Sequence, residues 1–267
     1  MKSGEGKLGK KDAVASTIFL KKNRRGQVTI FIIIAIMIVA LGLLVYFMYP
    51  KLKTTLGIGT KDPVGYIQSC VEDDIKEATE TVSLQGGSIS PEHYILYDDA
   101  KVEYLCYTNE YYKLCTVQQA MLKQHIESEI KNKINQKVDS CFNSLKEDYE
   151  KRGYNFQLKT GTKKVELLPK RVIATFDYSL TLTKENTEKY TSFNFILDNN
   201  LYELVAIAES IVESETLQGD AETTLYMAYY PDLKVEKKIK EDGTKIYILT
   251  DRNKGNKFQF ASRSNAF

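Results

Sequence analysis

From Val28 to Met48 the chain reads VTIFIIIAIMIVALGLLVYFM, 21 residues with one hydroxyl (Thr29), one phenol (Tyr46) and no charge. As a helix that run is about 31 Å long, a match to the roughly 30 Å hydrocarbon core of a bilayer. A buried helix of a soluble domain rarely runs so far without a charged face, so the pattern predicts a transmembrane helix over 27–50. Tyr46 and Tyr49 form an aromatic interface belt, and Pro50 is a helix stop. The run is too long for a secretory h-region and no small-x-small cleavage site follows it, so the anchor is expected to stay on the chain.

Beyond a short Gly-containing linker over 51–62 the periodicity becomes that of a folded domain. Val64, Ile67, Val71, Ile75, Ala78 and Val82 fall at three- and four-residue steps, one face of a helix. Asp62-Pro63 supplies a cap and a first-turn proline, and Gly86-Gly87 a stop. Residues 93–107 read as one or two strands. A long helix is predicted from about Val117 to Tyr149, carried by Leu122, Ile126, Ile130, Ile134, Val138, Phe142, Leu145 and Tyr149 and ended by Gly153. Its apolar stripe steps by four, so it drifts around the helix and suits an oblique crossing rather than a straight coiled coil.

From Tyr154 the period changes to two. Val172, Ala174, Phe176, Tyr178, Leu180 and Leu182 alternate with Thr175, Asp177, Ser179 and Thr181, which predicts one half-buried antiparallel strand. Phe193, Phe195 and Leu197 continue the pattern after a turn at Lys184–Lys189. Helical spacing returns at Leu201, Leu204, Val205, Ala208, Ile211 and Val212. A meander closes the chain: strands near 233–240, 245–250 and 257–262, with turns at Asp242-Gly243 and Asn253-Lys254-Gly255. The fold class is α+β: an N-terminal transmembrane helix, then a domain over 63–267 with a long helix and an antiparallel sheet, and a possible subdivision near 153.

Charge sorts the same three parts. Residues 1–26 carry eight basic and two acidic side chains, 27–50 none, and 51–267 carry 29 basic against 33 acidic. A mildly acidic folded portion excludes a nucleic-acid binder, whose positive charge would lie on the domain. Lys2, Lys7, Lys10, Lys11, Lys21, Lys22, Arg24 and Arg25 precede the span and only Lys51 and Lys53 closely follow it. The positive-inside rule then places the N-terminus in the cytoplasm and residues 51–267 outside. All four cysteines fall in that outer part, which suggests two disulfides formed in an oxidising space. Cys106 and Cys115 flank YTNEYYKL, a hairpin expected around Asn109-Glu110, and can face each other across it, which leaves Cys70 with Cys141. The absence of C-x-x-C pairs argues against zinc.

The junction Arg24-Arg25-Gly26-Gln27-Val28-Thr29-Ile30-Phe31 resembles the class III signal of archaeal type IV pilin-like proteins. The resemblance implies a prepilin-type peptidase as a partner, with cleavage between Gly26 and Gln27. The run R-G-Q-V-T-I-F-I-I-I is also similar to the N-termini of anchored envelope proteins of small-genome archaea, and that likeness extends loosely to Gln85-Gly86-Gly87 and to Phe258-Gln259-Phe260-Ala261. One departure stands out: bacterial type IV pilins carry a Glu where Phe31 stands. Pro50, Gly57, Gly59 and Asp62-Pro63 also break the continuous helix a filament core requires.

Catalytic signatures are missing from the sequence: no H-E-x-x-H, G-x-S-x-G, Walker or dinucleotide motif occurs. Glu209 and Glu213, i and i+4 on one helix face, with Glu215, Asp220 and Glu222 after them, form an acidic constellation, read first as a solvated helix face. His93 and His125 are the only histidines: His125, beside Ile126 on the long helix, reads as a structural or surface residue before a catalytic base, and His93 lies in a turn-like segment with no obvious partner. Eighteen Tyr without Trp suit half-buried sheet positions first and a protein or glycan surface second. The expectation is therefore a membrane-anchored, extracytoplasmic envelope protein with a non-catalytic structural or binding role and no cofactor. The bilayer and an envelope protein or glycan are its partners. The alternatives are a pilin-like filament or pseudopilin subunit and an exported envelope hydrolase.

Overall fold

The computed structural model describes residues 32–39 and 62–266. Residues 32–39 are helical. Among the described residues no helix is long and apolar enough to cross a membrane. The rest of the expected span 27–50, the Gly26–Gln27 junction and the linker up to residue 61 lie outside the described residues. Lys61–Phe267 form one compact unit, α+β as the periodicity predicts.

The unit begins with α1 (Pro63–Leu84). The Asp62 side chain accepts from the Gly65 N–H at 2.8 Å, and Pro63, with no N–H to satisfy, takes the first turn. β1 (Tyr94–Tyr97) and β2 (Ala100–Tyr107) follow as an antiparallel hairpin. The short β3 (Thr116–Val117) pairs with β2. The long helix is α2 (Leu122–Lys151), ended by Gly153 at φ 82°. It starts five residues later than predicted because Thr116 and Val117 are spent on β3, and the Gln118 N–H goes to the Leu105 carbonyl rather than into a helix. α1 and α2 run antiparallel: the Cys70–Cys141 disulfide sits between them, and Asp74 meets Lys137 at 2.9 Å one turn further along.

Next comes a three-stranded meander broken at mid-length. β4 (Asn155–Lys159) and β5 (Lys163–Leu168) are the halves of its first strand, β6 (Arg171–Phe176) and β7 (Ser179–Thr183) of its second, β8 (Thr187–Tyr190) and β9 (Phe193–Asp198) of its third. The halves belong to separate sheets, β4-β7-β8 and β5-β6-β9. The single strand predicted through 172–182 is thus two. The alternation never slips, since Phe176, Tyr178 and Leu180 are all buried. At the break the Asp177 N–H still reaches the Thr162 carbonyl at 2.9 Å, and Thr162 Oγ1 donates to Asp177 Oδ2 at 2.6 Å. A Cβ on Gly161 would lie 2.0 Å from the Asp177 carbonyl oxygen, so only glycine permits this close crossing. Tyr178 ties the corner to α2 by donating to Asp139 at 3.1 Å, and burial, with that carboxylate, pushes its phenol up to about 12.

α3 (Leu201–Gln218) and α4 (Thr223–Tyr229) lead into β10 (Leu233–Ile239), β11 (Lys245–Asp251) and β12 (Lys257–Arg263). The closing meander is where the turns placed it. Its partner is new: β12 pairs in parallel with β2 (Ala261 with Tyr104, Ser262 with Cys106), which makes a mixed sheet of order β1-β2-β12-β11-β10 instead of a purely antiparallel one. α1 and α3 pack on this sheet, and α1 and α2 on the meander. One apolar core runs across position 153, from Ile67 and Ile126 through Phe176 and Phe193 to Tyr247 and Phe260. A second cluster (Val102, Tyr104, Ile246, Ile248, Ala261) is separate from it, so β11 is buried on both faces over most of its length.

Candidate functional site

α3 carries the acidic constellation, and its period divides the three carboxylates. Glu209 and Glu213 share one face and line a cleft of ≈ 380 Å³ whose other walls include Leu105, Val117 and Leu122. Glu209 also accepts the backbone N–H of Lys123, a cap for α2 that Met121 cannot supply, and burial raises its pKa. Glu215 falls on the inward face with no exposed surface at all.

Its oxygens accept from Lys245 Nζ at 3.1 and 3.2 Å and from the Tyr247 hydroxyl. Lys245 also donates to the Gly219 carbonyl and lies 3.4 Å from Asp220, which is held at 2.8 Å by Lys237. Ser264 donates to the Glu215 carbonyl at 2.8 Å and accepts the Cys115 N–H at 3.0 Å. Burial raises the Glu215 pKa against the opposing pull of Tyr247 and Lys245, and burial together with Glu215 pushes the Tyr247 phenol far up. Burial works against ionisation of Asp220 too, yet Lys237 and Lys245 hold it below its usual value. Every member is satisfied, so the network is a lock joining α3, β11 and the Cys115 loop rather than a reactive acid.

His125 takes a structural place, with partners drawn from other stretches of the chain. Ser88 is buried, and its Oγ donates to Glu103 at 2.5 Å and lies 2.8 Å from His125 Nε2. With the hydroxyl proton committed to Glu103, Nε2 must be the donor, the reverse of the wiring that makes a nucleophile from serine. Burial raises the Glu103 pKa, and Glu129 accepts the Ile89 N–H at 2.8 Å. The four side chains pin the Gly86-Gly87 turn to β2 and α2. A Cβ on Gly87, at φ 114°, would stand 3.0 Å from Leu122 Cδ1. His93 packs its ring on Tyr104 (4.7 Å) and edge-on to Tyr107 (4.2 Å).

The cysteines are joined as Cys106–Cys115 and Cys70–Cys141, and none is free. The first bridge closes not a tight hairpin around Asn109-Glu110 but a wider loop, because Cys106 stands opposite Val117 and the turn residues bond elsewhere. The Tyr112 N–H reaches the Ala266 carbonyl at 2.8 Å, and Arg263 donates to the Thr108 carbonyl at 2.6 Å beneath the Tyr111 ring. The loop holds Tyr111 and Tyr112 outward, 58% and 75% exposed. Among the described residues no three His, Cys, Asp or Glu side chains are placed to hold a metal ion. No family model, no curated protein and no solved structure matches the chain.

Proposed function

We propose that the chain is a membrane-anchored envelope protein, of archaeal type, that displays residues 51–267 outside the cell in a non-catalytic structural or binding role. The observation that carries this is the state of the cysteines. All four lie on the C-terminal side of the apolar run and all four are paired, as an oxidising compartment favours. The uncharged run over 27–50 supplies the bilayer anchor, and the basic residues before it set the orientation. The titratable clusters support a structural role, since Glu215 accepts from Lys245 and Tyr247, and Ser88 is held between Glu103 and His125. Processing by a prepilin-type peptidase after Gly26 is compatible with display, because the cut leaves the apolar helix on the chain. A filament subunit is disfavoured by Pro50, Gly57 and Gly59 between anchor and domain.

Protease added to intact cells or sealed right-side-out vesicles tests the assignment. Removal of the chain beyond Pro50 with the leader spared is the expected result. Full protection of the domain until the membrane is broken would overturn it.

A further inference from the structure

A cleft of ≈ 440 Å³ lies beside the first turn of α3, between the β5–β6 turn and the segments 230–233 and 251–254. That volume is in the range of small-molecule sites. Its apolar wall is Leu204, Ile207 and Leu233, and Tyr230 stands at it 53% exposed. Three observations set this cleft apart. Glu203 accepts the Lys170 N–H through Oε1 at 2.9 Å, whereas its Oε2 is buried with no hydrogen-bond partner. Such an atom in a native fold calls for an occupant that donates to it. Lys170 lies at φ 63°, after Pro169, in a two-residue turn that favours glycine or asparagine there. The residue there is a lysine instead, at the cleft wall. Finally, the polar framework is fixed in advance. Asp251 accepts from the Asn253 and Lys254 N–H groups at 2.8 Å and from the Asn200 amide at 2.5 Å, and the Arg252 N–H reaches the Asp232 carbonyl at 2.8 Å.

We infer that this cleft binds a pyranose sugar. The walls mix one lysine (Lys170) with carboxylates (Glu203, Asp232) and an amide (Asn253), while the Lys254 ammonium is taken by Asp198. An anion would meet the carboxylates and a cation the Lys170 ammonium. A neutral ring bearing adjacent hydroxyls, each both donor and acceptor, satisfies both kinds. The C–H face of the ring lies on Tyr230, an amphipathic platform with its own polar tip. One hydroxyl donates to Glu203 Oε2, and Lys170 donates to a neighbouring oxygen. The inference deepens the display reading by naming what the displayed domain holds, but binding is measured on the protein itself and stands or falls apart from membrane orientation.

The test is saturation-transfer NMR on the full chain in micelles of a phosphocholine detergent, which carries no sugar headgroup. The probes are glucose, mannose and N-acetylglucosamine, each with its linear tetramer. Saturation of ring protons by at least one sugar is expected, weakened at least about tenfold in Glu203→Gln and in Tyr230→Ala. Both variants leave the main core untouched, and unchanged circular dichroism verifies that. Lys170→Gly keeps the turn and weakens binding. A monosaccharide equal to its tetramer identifies a free-sugar site, and a tetramer preference identifies a polymer segment; both uphold the inference. No transfer from any of the six, transfer unchanged in both Glu203→Gln and Tyr230→Ala, or binding of putrescine in place of the sugars would overturn it.

Discussion

Replacing Cys70 and Cys141 together by alanine isolates what the long bridge does for the folded chain. The bridge joins residues 71 apart, the other bridge residues 9 apart. Chain-entropy bookkeeping gives about 4.4 kcal/mol for the first loop and about 2.6 for the second. Cys141 is buried and Cys70 partly so, whereas Cys106 and Cys115 are both buried. Lost packing therefore adds more to the Cys106→Ala/Cys115→Ala pair and narrows the gap in stability. The surface pairs that also join α1 to α2, Asp74–Lys137 and Glu77–Lys133, are too exposed to make up the loss. Urea unfolding of each double variant, followed by circular dichroism, separates the two contributions. The Cys70/Cys141 variant should lose about 4 kcal/mol, and its m-value should rise because the unfolded chain expands once the long loop is open. The Cys106/Cys115 variant should show a much smaller change in m. An unchanged m-value with a stability loss under about 1 kcal/mol in the Cys70/Cys141 variant would refute the entropic account.

Glu215→Ala should cost about 3–5 kcal/mol in urea titration, since it strands a buried Lys245 and the Tyr247 hydroxyl; replacing Glu215 and Lys245 together by Leu and Met should recover most of that. Gly161→Ala should destabilise by about 3 kcal/mol, because its methyl group meets the Asp177 carbonyl and the strand crossing must open. In a pH series, Glu103, Glu209 and Glu215 hold their protons more tightly folded than unfolded. They therefore add stability as pH falls from neutral through their raised pKa values toward the ordinary 4.5. Asp220 has the opposite shift, and its contribution is lost only as pH falls through its lowered value. The melting temperature should thus peak on the acid side of neutral, and a steady fall from pH 7 to pH 5 would contradict those shifts.

Local chemistry was legible in the sequence, and long-range pairing was not. Asp62-Pro63, the four-step stripe of α2, the Asp242-Gly243 turn and the two-residue alternation through Leu182 are short-range signals, and each has its counterpart in the fold. The parallel pairing of Ala261 with Tyr104 leaves no such signal, because nothing local distinguishes an edge strand from one that takes a distant partner. Asp177 reads as one more outward polar position of a strand; what breaks the strand is the backbone of Gly161, on the neighbouring strand. Val117 looks helical by continuity with Leu122 and is drawn instead, with Thr116, to the free edge of β2. The site residues failed in the same way. Glu215 has the charge of a surface residue, yet it stands three and four residues beyond Val212 and Ile211 on the buried stripe of α3, and only the inward placement of Lys245 and Tyr247 on β11 makes its burial tolerable. Ser88, Glu103 and the α2 pair His125 and Glu129 come from three separate stretches of chain, and only the two α2 residues, i and i+4, share a period.

The exported, disulfide-bonded state can be read directly as mass. The chain is extracted from its native membranes under conditions that trap thiols, alkylated with and without prior reduction, and weighed intact. Display outside the cell predicts no alkyl groups before reduction and four after it, one for each of Cys70, Cys106, Cys115 and Cys141. Four alkyl groups without reduction would mean that the domain resides in a reducing compartment, and would contradict the account.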